Sequence, residues 1–154
     1  MTWTVMPAFD EYETAREEFS WELPDEYNPA VDFLRKHDDT SQTALRYDHP
    51  DSGLETYSFD DLDEQSDRLA AALADLGVEA GDRVGVVVPQ KPQNPLTHLA
   101  NWKVGAVSVP LTVLFGRDAL QYRLADSEAT AVVVDPSVRE TIDEIREECP
   151  ALEH

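Results

Sequence analysis

Three short apolar runs in the second half of the chain indicate buried strands. Residues 84–88 read VGVVV, residues 106–111 read AVSVPL and residues 131–134 read AVVV. Apolar runs without polar alternation are typical of parallel strands that are covered on both faces. Each run begins 22 to 25 residues after the previous one, which leaves room for one helix between neighbouring strands. We therefore expect a parallel sheet.

Helix signals fill the spaces between these runs. Asn94 is a candidate N-cap with Pro95 at the first helical position, and Gly105 follows the last predicted turn. A second helix is predicted over Asp118–Asp126. The resulting βαβαβ order, with right-handed crossovers, predicts an α/β fold in which helices flank a partial parallel sheet.

The last predicted helix carries the single cysteine. Ser137 and Glu140 have the spacing of a capping box. An apolar stripe follows at helical spacing and consists of Val138, Ile142, Ile145 and Cys149. Because Cys149 ends this stripe, we interpret it as a packed core thiol rather than a reactive one. A lone cysteine without zinc ligands around it is typical of a protein from a reducing compartment.

A hairpin and a long helix are predicted before the parallel sheet. Thr43–Tyr57 contains two strand-like runs around a turn. Ser58 and Asp61 are placed to cap the helix that follows, and Gly77 is placed to end it. Four leucines share the predicted inner face of this helix: Leu62, Leu69, Leu73 and Leu76.

Residues 1–40 are predicted to form an N-terminal arm ahead of a domain at residues 41–154. A short helix, an extended segment and a second helix over Ala30–Lys36 are expected within the arm, with breaks at Pro24 and Pro29. Its aromatic residues are interpreted as pinning the arm to the domain; they are Trp3, Phe9, Tyr12, Phe19, Trp21, Tyr27 and Phe33.

The composition is strongly acidic. The 154 residues include 32 Asp and Glu against 12 Lys and Arg, so the formal net charge is -20. This charge repels phosphate groups and excludes non-specific binding to nucleic acid or anionic membranes. With neither a leader pattern nor an apolar run near the roughly 18 residues of a membrane span, we expect a cytoplasmic protein. The acidity resembles that of proteins from salt-loving organisms; an ordinary acidic surface and partial disorder are the alternatives.

Common signatures of phosphate, metal or nucleophile chemistry are missing from the sequence. Its six glycines form neither GxGxxG nor GxxxxGK[ST], and no GxSxG, HExxH or CxxC motif occurs. The motifs therefore predict no catalytic residue and no metal site.

Two ordered blocks nevertheless resemble a known family. YSFDDLDEQSDRLAAALADLGVEAGDRVGVVVPQ at residues 57–90 and HLANWKVGAVSVPLTVLFGRDALQYRLADSEATAVVVD at residues 98–135 are similar to the N-terminal portion of the adenylate-forming, AMP-dependent acyl-CoA synthetases. The similarity is greatest to the acetyl and medium-chain acyl branch. It implies the first part of the large N-terminal domain of the AMP-binding ligase fold.

The resemblance implies acid–thiol ligase chemistry for the complete family members. They use ATP and magnesium to convert a carboxylic acid into an acyl-adenylate, and then transfer the acyl group to coenzyme A. The family's phosphate loop, adenine and ribose motifs and C-terminal lysine lie beyond the position that matches His154. We therefore expect an incomplete domain, a truncated family member that adenylates nothing by itself and needs no cofactor alone.

Three residues are carried over as coenzyme A contacts by this resemblance. Phe115 and Gly116 match an FGG-type turn, with Arg117 in place of its second glycine. Arg139 matches the first of two arginines near the nucleotide phosphates, with Ile142 in place of the second. Arg139 also lies in the first turn of a predicted helix, where an anion is favoured. A surface pair of Arg139 with Asp135 or Asp143 is the alternative.

Two other classes of function stay open. The chain could be a non-catalytic module that pairs, through its unfinished sheet, with a separately encoded remainder or a homologous synthetase. It could also be a stand-alone binder of coenzyme A or a nucleotide that uses Arg139.

Overall fold

The computed structural model describes residues 9–21 and 24–154, and Trp3 of the predicted arm lies outside them. The strands are β1 (Thr43–His49), β2 (Gly53–Ser58), β3 (Arg83–Val87), β4 (Val107–Pro110) and β5 (Ala131–Val134). The helices are α1 (Tyr12–Glu18), α2 (Pro29–Arg35), α3 (Phe59–Asp75), α4 (Gln93–Val104), α5 (Arg117–Asp126) and α6 (Arg139–Ile145).

The parallel sheet has β3 at its centre, in the order β4-β3-β5. Val84, Val86 and Val87 of β3 are fully buried, which confirms that this strand is covered on both faces. β4 is hydrogen-bonded to β3 alone in the described sheet, and its Val107 is 51% exposed. The prediction of burial on both faces is therefore confirmed for β3 and wrong for β4, because an edge strand has a neighbouring strand on one side alone and is packed by fewer side chains.

One apolar cluster lies on each face of this sheet. Val132 and Val134 pack in the cluster with α5 and α6, whereas Ala131 and Val133 pack in the cluster with α3 and α4. Successive side chains of a strand point to opposite faces, so the sheet is sandwiched between the two helix layers. The predicted stripe is buried in the first cluster and comprises Val138, Ile142, Ile145 and Cys149, although α6 itself ends at Ile145 and a 3-10 turn leads to Cys149.

The start of α3 follows the prediction closely. Ser58 Oγ accepts from the Asp61 N–H at 3.0 Å, and Asp61 Oδ2 accepts from the Ser58 N–H at 2.8 Å, which completes the capping box. Leu62 and Leu73 are buried as predicted, but Leu76 is 50% exposed. Leu76 is the C-cap residue, so the leucine face of the helix ends one turn earlier than its spacing predicts.

The starts of α4 and α6 differ from the prediction. α4 begins at Gln93, and the Asn94 side chain donates to the Val88 carbonyl at 2.7 Å instead of capping the helix. A 3-10 turn precedes α6, and Asp135 rather than Ser137 accepts the capping hydrogen bond. Asn94 thus bonds the end of the preceding strand segment, whereas Ser137 donates to Asp135 two residues before it, a local side-chain bond that competes with the capping box.

The N-terminal part packs against α4. β1 and β2 pair antiparallel as the predicted hairpin. α2 begins after Asn28, whose Oδ1 accepts from the Ala30 N–H at 3.0 Å. Ala30 and Leu34 are buried with Leu96 and Leu99 of α4, so this part of the predicted arm shares a core with the domain. The boundary at residue 40 stays a prediction.

The aromatic residues of the arm differ in their packing. Phe33 packs on Phe59 with a ring-centroid distance of 5.8 Å, as pinning requires. Phe19 packs on Trp21, which remains 66% exposed. Within residues 9–21 and 24–154, no helix is long and apolar enough to cross a membrane.

Candidate functional site at the carboxyl edge of the sheet

The carboxyl ends of the three parallel strands lie at one edge of the sheet. The chain leaves β3 for β4 on one side, and it leaves β5 through α6 for the opposite side. There His154 meets the outer edge of β5, donating its N–H to the Thr130 carbonyl at 3.2 Å and accepting from the Val132 N–H at 3.1 Å. Adjacent strands whose connections diverge create a crevice, which is where open α/β sheets bind ligands.

An ion pair spans this crevice. Lys91, in the loop after β3, bonds Asp135, the residue that follows β5. Ser137 donates to the same carboxylate through its N–H at 3.0 Å and its hydroxyl at 2.6 Å. The hydrogen bond from Lys91, followed by those from Ser137, lowers the pKa of Asp135 to about 2. The carboxylate is therefore charged at neutral pH and holds the two loops together.

Arg139 begins α6 four residues after Asp135, and its side chain is 77% exposed. Its Nε lies 3.7 Å from Asp143 Oδ2, one turn further along the helix. The alternative of a surface pair with Asp143 is therefore present, whereas Asp135 bonds Lys91 instead. An exposed pair at this distance contributes little to stability, so the guanidinium can turn to an incoming anion at small cost.

A groove of about 410 Å³ lies between Arg139 and the outer edge of β5. Its walls are largely apolar, with groups of both charges beside them, and consist of Val132, Val134, Pro136, Arg139, Ile142, Asp143, Arg146, Leu152 and His154. Arg146 is tied to the backbone, because it donates to the Glu153 carbonyl. Arg139 is thus the more available cation of this groove.

Phe115 and Gly116 do not line this groove. Phe115 packs against the α5–α6 cluster, and the Arg123 guanidinium lies 4.3 Å from its ring centroid. Gly116 is the exposed N-cap residue of α5, and a Cβ there would meet no described atom within 4 Å. The described geometry therefore separates Arg139, which lines the groove, from Phe115 and Gly116. A role of these residues in coenzyme A binding stays a prediction.

Arg117, which stands in place of the second glycine of the FGG-type turn, pairs with a carboxylate. Arg117 bonds Glu148, and this hydrogen bond raises the pKa of Arg117.

Among the residues that the structure describes, no three His, Cys, Asp or Glu side chains are grouped to hold a metal ion.

The Lys91–Asp135 pair belongs to no sequence motif, although its position along the chain carries a signal. Both residues follow apolar strands within a few positions, and carboxyl ends of parallel strands share an edge. A second contact that local patterns do not predict joins His98 to Ser108, with a ring nitrogen at 2.6 Å from Ser108 Oγ. Only the crossing of α4 over β4 brings that pair together.

Comparison with known proteins gives these features a family. The model of the family described as AMP-binding enzyme matches residues 35–154. Acyl-coenzyme A synthetase ACSM3, mitochondrial, of Rattus norvegicus is 28% identical over an alignment of 158 positions, and the match covers 97% of this chain and 27% of the relative. This chain therefore spans about a quarter of that relative's length.

Solved structures share the fold. An acyl-CoA synthetase from Brucella canis superposes with a TM-score of 0.82 at 29% identity, covering 92% of this chain and 28% of that one. The anthranilate CoA ligase AuaEII, solved with anthranoyl-AMP, gives 0.75 at 29% identity over 86% and 25% of the two chains. With its sheet order, its flanking helices and a family match over most of its length, the chain belongs to the AMP-binding enzyme family.

Proposed function

We propose that this chain is part of an AMP-forming acyl-CoA synthetase. Such an enzyme activates a carboxylic acid with ATP and magnesium, releases pyrophosphate and passes the acyl group from the adenylate to the thiol of coenzyme A. The match of residues 35–154 to the family carries the proposal. The acyl-CoA synthetase from Brucella canis and the AuaEII complex with anthranoyl-AMP support it, because both share this fold.

Residues 1–154 are not expected to adenylate a substrate by themselves. Adenylate formation develops charge on phosphate oxygens, which requires preorganised donors, and the sequence contains no glycine-rich phosphate loop. ATP–pyrophosphate exchange should therefore stay at the protein-free level with acetate, propionate or octanoate. Exchange above that level by the purified chain would contradict this part of the proposal.

Arg139 is the residue we propose for contact with a phosphate group of coenzyme A. It is exposed, loosely paired with Asp143 and placed at the carboxyl edge of the sheet. Arg139→Ala should weaken coenzyme A binding to the chain in calorimetric titration, whereas Arg68→Ala should not. Arg68 is the matched control, because it is similarly exposed and also pairs with a carboxylate one turn away. Equal binding by both variants would remove Arg139 from the site.

A second candidate is a module that associates with the remainder of a synthetase. The backbone of His154 makes parallel-ladder hydrogen bonds to the outer edge of β5, and the apolar groove lies beside that edge. An extended segment from a second polypeptide could continue this ladder, with apolar side chains filling the groove.

This association can be tested by sedimentation. The probe is the Brucella canis acyl-CoA synthetase without the N-terminal part that matches this chain. A complex is expected with the unmodified chain and with Tyr122→Asp, which alters an exposed aromatic residue away from the groove. Val134→Asp should abolish the complex, because it puts a charge into the groove. Absence of any complex, or equal binding by both variants, would count against the module.

We also propose a cytoplasmic location in a salt-rich cell. The net charge of -20 suits a solution of concentrated ions, which screens repulsion between carboxylates. The single Cys149, which is buried and free, suits a reducing compartment.

A further inference from the structure

Three polar side chains join α4 to the edge strand β4, away from the carboxyl edge of the sheet. His98 Nδ1 lies 2.6 Å from Ser108 Oγ, and Asn101 Nδ2 donates to the same oxygen at 2.9 Å. Asn101 is fully buried, and its Oδ1 has no hydrogen-bond partner in the described part of the chain. We call these three residues the α4–β4 polar cluster.

The hydrogens of this cluster can be counted. A serine hydroxyl has one proton to donate, while an amide nitrogen can only donate. Ser108 Oγ accepts from Asn101 Nδ2, and its own proton is then free to be donated to His98 Nδ1. This order requires a neutral ring with its proton on Nε2, and partial burial supports it by lowering the pKa of His98.

Adding a proton to the ring makes this order impossible. A protonated Nδ1 donates to Ser108 Oγ, so the hydroxyl proton needs another acceptor. The unpartnered Asn101 Oδ1 becomes that acceptor if the amide turns by about 180°, because the turn exchanges its oxygen and nitrogen. The proton comes from solvent and stays on the ring, and no other covalent bond changes.

We propose that the α4–β4 polar cluster is a proton-operated switch, in which protonation of His98 reverses the hydrogen bonds through Ser108 and turns over the Asn101 amide. The turned amide leaves its NH₂ group without an acceptor at a buried position. Before the turn one carbonyl oxygen lacks a donor, whereas after the turn two buried N–H donors lack an acceptor, which costs more. Proton binding therefore weakens the contact between α4 and β4.

The titratable and charged groups on the elements around α4 are engaged with other partners and do not contact His98 in the described contacts. The carboxylates of Asp63 and Asp67 on α3 are bound by Lys103. α2 meets α4 through apolar side chains, and its N-cap residue, the neutral Asn28, donates to the Trp102 carbonyl. The ring of Trp102 lies 6.2 Å from that of His98. Among the described residues, burial is the influence that lowers the pKa of His98, so no neighbouring charge dictates its titration.

The switch can be tested by ¹⁵N NMR on the intact 154-residue chain. At neutral pH the His98 ring should carry its proton on Nε2, with Nδ1 as an acceptor. As the pH falls, the Asn101 side-chain amide resonances should shift with the same midpoint as the His98 ring. A neutral ring protonated on Nδ1, or Asn101 resonances that ignore the His98 titration, would overturn the proposal.

Two variants of Ser108 separate the switch from a general acid effect. Ser108→Ala should uncouple the Asn101 amide from His98, whereas Ser108→Thr keeps the hydroxyl and should preserve the coupling. As the pH falls below the pKa of His98, protection of the β4 amides from hydrogen exchange should decrease. The decrease should reach about tenfold for each unit by which folding lowers the pKa of His98. The same loss of protection in Ser108→Ala as in Ser108→Thr would refute the role of the hydroxyl.

Discussion

At the scale of single residues, Asp135 connects the loops at the carboxyl edge. Its carboxylate accepts from Lys91 and from both donors of Ser137, while its own N–H donates to the Val87 carbonyl at 2.9 Å. These bonds join the loop after β3, the end of β5 and the turn before α6. Arg139 is the first residue of α6 and follows Asp135 by four residues, so its position depends on this ionised side chain.

Replacing Asp135 by asparagine should remove a pH-dependent part of the stability. The folded pKa of about 2 lies below the ordinary 3.8, so ionised Asp135 stabilises the fold above about pH 4, and this is lost toward pH 2. Asp135→Asn should lower the free energy of unfolding at neutral pH by about 1 to 2 kcal/mol. Urea unfolding at neutral and acidic pH measures the difference.

The control for this change is Asp118→Asn, because the Asp118 side chain is 98% exposed. It should have little effect at either pH. A destabilisation by Asp135→Asn that is the same at pH 7 and near pH 2 would show that charge on Asp135 is not the cause.

At the scale of elements, α5 packs directly on the backbone of β3. A Cβ on Gly85 would lie 2.8 Å from Leu124 Cδ2 and 3.0 Å from Val132 Cγ2. Leu124 is fully buried in the cluster beneath α5, and the partly buried Val132 packs against the same cluster, so these atoms have little room to move. The glycine inside the VGVVV run thus serves close packing between a helix and the central strand.

Gly85→Ala should therefore separate α5 from the sheet and destabilise the fold by about 1 to 3 kcal/mol, the usual cost of overpacking a core. Gly116→Ala is the matched control, since its new methyl group would meet no described atom within 4 Å. Thermal unfolding of the two variants measures the contrast. Equal melting temperatures would mean that α5 adjusts without cost.

At the scale of the whole molecule, repulsion among carboxylates opposes the compact state. The net charge is -20 over 154 residues, and folding brings these charges closer together. The screening length falls to about 3 Å in 1 M salt, so concentrated salt should remove most of the repulsion between exposed groups.

The melting temperature should consequently rise between 0.1 M and 2 M KCl. A variant with Asp118, Glu140 and Glu144 changed to their amides is the control, because these residues are exposed and their loss reduces the repulsion. It should show a smaller rise than the unmodified chain. A melting temperature that stays level or falls with KCl would contradict adaptation to salt.

Local pattern predicted most of the elements but not all of their ends. The capping box at Ser58 and Asp61 was correct because both partners lie within one helical turn. Asn94 was wrong as an N-cap because its side chain meets Val88, six residues away across a loop. The same limit applies to Lys91 and Asp135, which are 44 residues apart.

The sequence by itself determined the α/β class, the order of strands and helices and the buried stripe of α6. These follow from periodicity and from backbone punctuation, which act over a few residues. Only the tertiary structure decided that β4 lies at an edge, that Lys91 meets Asp135 and that His98 meets Ser108. Such contacts arise when whole elements cross, and their geometry depends on packing between residues that are distant along the chain.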